Sequence, residues 1–216
     1  MTSQSQPTSQ APSHCHGFQK LFVLLLLPIM SKAATVVPTP LSALTLSTHH
    51  VPAYELIPNT SIQHKPLLIY RAAFPPTATA SQIESHLSST GAVQPQWRYT
   101  MFSKTHFHST THEVLAVASG SATVCFGGEQ NPGRVETRLG KGDVVIVPAG
   151  VGHRLLEEEE EKREDGFVMV GSYPVGCSWD MCYGRAGEEE KVKGIGKLVW
   201  FERDPVYGDT GPVLEV

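Results

Sequence analysis

From about residue 52 the chain is written in short apolar blocks separated by turn residues. Pro66-Leu67-Leu68-Ile69-Tyr70 reads as a strand, because branched and aromatic side chains suit a pleated surface. Ser81-Gln82-Ile83-Glu84 has capping-box spacing, and Leu87 follows Ile83 by about one helical turn, which predicts a short amphipathic helix at 80–89. After Gly91 strands are predicted at 97–108, 112–119, 121–127, 134–139, 143–148, 153–156, 166–173 and 195–202. Gly120, Gly127-Gly128, Asn131-Pro132-Gly133, Gly140-Lys141-Gly142 and Pro148-Ala149-Gly150 separate most of them. Short strands at this spacing predict an all-β antiparallel sandwich or barrel.

The first 51 residues follow a different pattern. No Asp or Glu precedes Glu55, and residues 1–20 are rich in Ser, Thr, Gln and Pro, too polar to bury a core. Leu21 to Met30 is an apolar run, too short for a bilayer, which takes about 20 residues. Its length suits the apolar region of a signal peptide, and Ser31-Lys32-Ala33 offers small residues for cleavage. The expected organisation is therefore a disordered extension or targeting segment at 1–51 and a single domain at 52–216. Cytoplasmic residence is the first expectation and secretion through 21–30 the alternative, with no stable membrane span in either case.

Charge and cysteine usage remove several function classes. The formal net charge is −4, so no basic surplus is available to neutralise phosphates, and nucleic acid is not an expected partner. Cys15, Cys125, Cys177 and Cys182 form no CxxC pair, which excludes a zinc ribbon or a thioredoxin-type motif. Cys125 reads as a small buried hydrophobe, and Cys177 and Cys182 would pair only in an exported protein. The charge runs Glu157 to Asp165 and Glu188 to Lys191 read as solvated. Nothing in the chain matches a nucleophile elbow or a nucleotide-binding glycine loop.

The histidines carry the candidate chemistry. In an extended segment His106 and His108 point the same way and Phe107 the other, so two imidazoles on one face can chelate a divalent metal. Glu113 follows five residues later, and the Ser109-Thr110-Thr111 kink can return its carboxylate to the same cavity. His112 is its neighbour and faces elsewhere in regular strand geometry, which leaves it as a group beside the ligands. Gly142-Asp143-Val144-Val145-Ile146-Val147-Pro148-Ala149-Gly150-Val151-Gly152-His153 reads as a buried strand, a turn and a further histidine at the start of the next strand.

His106-x-His108-x4-Glu113-x6-Gly120 followed by Gly142-x5-Pro148-x-Gly150-x2-His153 resembles the two signature motifs of the cupin superfamily. Thr100 stands where the first motif usually opens with Gly, and Glu157 where the second often ends with Asn. More of the chain, roughly 54–214, is similar to the YjlB-like single-domain cupins. That likeness runs through Trp97, His106 to Glu113, Gly171-Ser172-Tyr173-Pro174, Ser178-Trp179-Asp180 and Asp204 to Pro212. The resemblance implies a double-stranded β-helix, a jelly-roll barrel with one short helix before it, holding a metal in its mouth. It implies His106, His108, Glu113 and His153 as metal ligands, and it allows a homodimer. Members similar to this chain include fungal cupin-domain oxidoreductases of polyketide pathways that make salicylaldehyde-type aromatics.

Three imidazoles and a carboxylate leave two positions of an octahedral ion open, and two His with Glu113 also make the ligand set of non-haem Fe(II) oxygenases. Fe(II) or Mn(II) suits redox work, while Zn or Ni could occupy the same ligands. The expected function is a metal-dependent oxidoreductase acting on a small, aromatic or polyketide-derived molecule of secondary metabolism. A non-redox isomerase or epimerase, with Arg98 and Arg154 as cationic clamp for a sugar phosphate, and a non-catalytic binding protein stand beside it. Tyr173, Trp179 and Asp180 are read either as packing at the barrel end or as groups touching substrate.

Overall fold

A computed structural model describes residues 36–159 and 166–216. Among the described residues nine strands make two antiparallel sheets. In chain order they are β1 (Thr45–His49), β2 (Leu67–Arg71), β3 (Val93–Tyr99), β4 (Glu113–Ser119), β5 (Ser121–Phe126), β6 (Val135–Gly140), β7 (Val144–Val147), β8 (His153–Glu158) and β9 (Val168–Pro174). The large sheet has the order β1-β2-β7-β4-β9-β3 and the small one β6-β5-β8. The α-helices α1 (Ala80–Ser89) and α2 (Glu189–Gly194) lie outside the sheets.

The central strands β2, β7, β4 and β9 of the large sheet are buried on both faces, and residue parity sorts their side chains. Leu67 and Ile69 of β2, Leu115 and Val117 of β4, and Val145 and Val147 of β7 pack against Ala122, Val124, Phe126 and Leu139 of the small sheet. Their neighbours Leu68, Tyr70, Val114, Ala116, Val144 and Ile146 pack the other way, onto Ile83 and Leu87 of α1 and onto Phe201, Val206 and Val213 near the C-terminus. Burial on both faces explains why β7 is an unbroken apolar run rather than an alternating one. Each fully buried Leu, Ile or Val in these layers stabilises the fold by about 1.5–3 kcal/mol.

Three expectations are corrected here. The closed jelly-roll barrel is not observed: the ladder of the large sheet ends at β1 and β3, that of the small sheet at β6 and β8, and neither sheet closes on itself. Closure would need those edge strands to pair with one another. The outer edge of β8 is instead taken by the irregular segment 102–106, through His153 with His106 and Leu155 N with Phe102 O, and β6 carries Glu136 and Arg138, charges that disfavour further pairing. Among the described residues no helix is long and apolar enough to cross a membrane, and segment 21–30 lies outside the described residues. The localisation expectation built on that segment is therefore withdrawn. Local assignments shift as well. The capping box of α1 belongs to Thr79 and Gln82 rather than to Ser81, 100–112 forms no named strand, and 195–202 begins as a 3₁₀ turn and stays irregular.

Gly120, at φ +64°, turns the chain from the large sheet into the small one between β4 and β5. A side chain there would collide with the Gly166 carbonyl. Gly142, at φ +93° and tight against the Phe74 carbonyl, turns it back between β6 and β7. These crossovers bring the starts of β4 and β8 close to the irregular segment 100–112, and the histidines gather there.

Candidate metal centre

Two isolated bridges anchor the His106-Phe107-His108 segment: His106 pairs with His153, and Phe107 with Cys182. Phe107 is fully buried among Ala149, Cys182 and Ile195 on one side. His106 and His108 turn to the other side, where they meet His153 at the start of β8. Ring centroids are 4.2 Å apart for His106 and His153, 5.4 Å for His106 and His108, and 5.3 Å for His108 and His153. All three rings are buried, and one nitrogen from each lies within 4.8 Å of the others, an arrangement capable of binding a divalent metal ion.

Backbone carbonyls set the tautomers. The Nδ1 of His106 faces Lys104 O, that of His108 faces Asp180 O, and that of His153 faces Val151 O. A neutral imidazole that donates through Nδ1 keeps a lone pair on Nε2, so three ligand nitrogens converge on one point. Glu113, the first residue of β4, joins them: its Oε2 is 3.2 Å from His153 Nε2 and 3.5 Å from His108 Nε2. That oxygen is buried without a hydrogen-bond partner, whereas Oε1 accepts the Tyr173 hydroxyl at 2.7 Å. Tyr173 Oη in turn accepts Trp97 Nε1–H at 2.8 Å. The chain Trp97–Tyr173–Glu113 leaves one carboxylate oxygen aimed at the imidazoles. A bare buried carboxylate oxygen facing imidazole lone pairs is repulsive unless a cation lies between them, so the donor set fits a divalent ion.

The electrostatics agree. Burial, helped by the neighbouring His153, lowers the His106 pKa to about 3. Burial also opposes charge on His108, but the Glu113 carboxylate outweighs it and raises that ring. Glu113 is held well below the usual carboxylate range by His108 and His153 despite its burial. A cation bound among these groups would compete with protons for the same nitrogens, so its affinity would fall in acid.

The cavity in front of this cluster has a volume of about 330 Å³. Trp97, Met101, Phe102, Leu115, Met169 and Trp179 are among its walls, and among the described residues no Lys or Arg lines it. Trp179 stacks on Tyr173 at 6.4 Å, and Phe102 meets His106 edge-on at 5.6 Å. Trp97 owes its place to Gly171, where any side chain would overlap the indole.

The structure thus brings His106, His108, Glu113, His153 and Tyr173 to one cavity. His112 is elsewhere: its Nδ1 accepts from Ala149 N at 3.0 Å, and its ring lies against Trp200 and Phe201, buried enough to lower its pKa to about 4. Arg98 pairs with Glu84 and Arg154 with Glu129, both outside the cavity. Cys177 and Cys182 are free thiols. Glu188 is not merely solvated: its carboxylate gathers the backbone N–H groups of Tyr183, Gly184 and Arg185. Residues 160–165 of the first charge run lie outside the described residues. Asp180, picked out in the sequence only within Ser178-Trp179-Asp180, contacts Ser109 and His108 about 70 residues away in the chain, partners that no local pattern announces.

Residues 100–163 match the family described as Cupin domain, and the chain belongs to the cupin superfamily. It is similar to a protein of Bacillus subtilis (strain 168) described as "Uncharacterized protein YjlB", with 34% identity over 152 residues, 70% of this chain and 85% of that protein. Among solved structures it is similar to an 11S globulin from Wrightia tinctoria, with 11% identity and TM-score 0.32 over 68% of this chain and 29% of the globulin. It is also similar to RmlC from Streptococcus suis, with 16% identity and TM-score 0.31 over 60% of this chain and 70% of that one.

Proposed function

We propose that this cupin is a metal-dependent oxidoreductase acting on a small, largely apolar molecule, with an aromatic, polyketide-derived compound as the favoured substrate class. The observation that carries the reading is the position of the Nε2 atoms and Glu113 Oε2 at the foot of a cavity whose remaining walls are aromatic and aliphatic. His106, His108, His153 and Glu113 would hold the metal, with Fe(II) or Mn(II) preferred. The bound ion would supply redox capacity and polarise a substrate oxygen. The protein's own residues do the rest. Tyr173 donates a hydrogen bond to Glu113 Oε1, which would leave Oε2 to face the ion. Trp97, Phe102 and Trp179 give a planar ring flat surfaces to lie against, and the apolar walls exclude water. The volume is at the small end of the range for ligand pockets, roughly 300–1,000 Å³. A sugar-phosphate isomerase lacks its cationic clamp here, because Arg98 and Arg154 are paired elsewhere.

The test is elemental analysis of the untagged full chain, with Glu113→Ala as control, followed by an oxygen-uptake screen with phenolic aldehydes and alcohols. About one Fe or Mn per chain, lost in the control, together with uptake that depends on metal and substrate, is the expected result. One Zn or Ni without uptake would move the reading to non-redox chemistry. No metal after anaerobic reconstitution with Fe(II) would leave a non-catalytic binding protein.

A further inference from the structure

The three histidines do not obtain their orienting carbonyls in the same way. His106 and His153 each face a carbonyl two residues upstream, so local chain geometry sets the contact. His108 faces Asp180 O, 72 residues away. A contact of that separation needs its own fastening.

We propose that Asp180 is a positioning residue for the metal centre, which fixes the nitrogen that His108 presents to the cavity; the proposal rests on the metal reading above. Asp180 holds the segment at two points. Its backbone carbonyl accepts a hydrogen bond from His108 Nδ1–H, while its carboxylate grips the next residue along, accepting from Ser109 N at 2.7 Å and Ser109 Oγ at 2.8 Å. With both groups on one residue and both targets on adjacent residues, the covalent geometry between them holds the carbonyl opposite the ring. Thr110 Oγ1 adds a bond to Ser178 O at 2.8 Å, just upstream. On the far side Lys191 of α2 lies 3.3 Å from Asp180 Oδ2, and Cys182 Sγ donates to the same oxygen. Trp179 and Met181, on either side of Asp180, are cavity walls, so one short segment sets both a ligand and the space in front of it.

The test uses full-length Asp180→Ala and Asp180→Asn with two readouts. The first is ¹⁵N NMR of the histidine rings in metal-free protein under alkaline conditions, which reports the tautomer of His108. The second is titration with Co(II), followed by its visible spectrum. Wild type is expected to show Nδ1–H at His108. Asp180→Ala should admit the Nε2–H form, weaken Co(II) binding by roughly 10–100-fold and shift the spectrum. Asp180→Asn should fall between, since its amide oxygen still accepts from Ser109 N while its NH₂ faces Ser109 Oγ and Lys191. Asp204→Asn, a destabilising change whose partners all lie outside the cavity, should leave tautomer and spectrum unchanged. An Asp180→Ala protein with the wild-type tautomer and Co(II) affinity would overturn the proposal. A wild type that takes no Co(II), but whose tautomer still depends on Asp180, would overturn the metal reading and leave the positioning role standing.

Discussion

Glu113 and Asp204 are both carboxylates withdrawn from water, and the protein treats them in opposite ways. Asp204 accepts the Tyr70 hydroxyl and the backbone N–H groups of Val206, Tyr207 and Val213, so both its oxygens are occupied. Burial raises its pKa, and it staples the C-terminal segment onto β2. Glu113 has one oxygen satisfied by Tyr173 and the other left bare among imidazoles. Its pKa moves down rather than up. A buried acid with every lone pair paired is structural, whereas one left half-satisfied beside converging nitrogens is arranged for something that arrives later.

The sharpest way to break this contrast is to truncate each acid. Asp204→Ala strands several buried donors and should cost about 3–5 kcal/mol in chemical denaturation, with metal content unchanged. Glu113→Ala should abolish bound metal, at a smaller cost to metal-free stability than Asp204→Ala. If both lose metal equally, the distinction fails.

Acid sharpens the contrast further. The folded pKa of Asp204 lies above its unfolded value, so its contribution is fully present below the unfolded pKa and is lost as pH rises through the folded one. Glu113 has the opposite sign, and its contribution is lost as pH falls through its depressed folded pKa. His112, buried and neutral, adds a separate loss. Its pKa falls from 6.5 to about 4 on folding, so the unfolded state takes up a proton first and stability declines across that window. By pH 4 the loss is roughly 3 kcal/mol. Comparing pH-dependent denaturation of wild type and His112→Asn, which retains an acceptor for Ala149 N, should show a flatter acid limb in the variant.

Tyr173→Phe removes the cap from Glu113 Oε1 and leaves Trp97 Nε1 unpaired. The expected cost is about 2 kcal/mol in stability and about tenfold in metal affinity by competition with a chelator. The smallest effect belongs to Arg98→Ala. Its pair with Glu84 is partly exposed, so less than about 1 kcal/mol should be lost and metal binding should not change.

The parts of the molecule legible in the sequence are those governed by neighbouring residues. Period-two alternation places His106 and His108 together opposite Phe107, and the glycine turns locate β4 to β9 within a few residues. What escaped depends on distant partners. β1 (Thr45–His49) is a mostly exposed edge strand without an apolar alternation to betray it. Trp97, Tyr173 and Glu113 form their chain across separations of 60 and 76 residues. Whether two sheets join at their edges is likewise a property of pairing partners rather than of either strand's own pattern, which is why the barrel was expected and two open sheets are found.

Gly171 gives the cavity an adjustable dimension. The Trp97 indole lies directly over its bare backbone, so the width of the chamber is set by a missing methyl group. Replacing that hydrogen with the CH₃ of alanine would displace the indole and, with it, the donor that ends at Glu113. For an engineer seeking to broaden the range of compounds admitted, this places shape and reactivity under one codon. Saturation libraries would therefore do better to vary Gly171 and Trp97 as a pair.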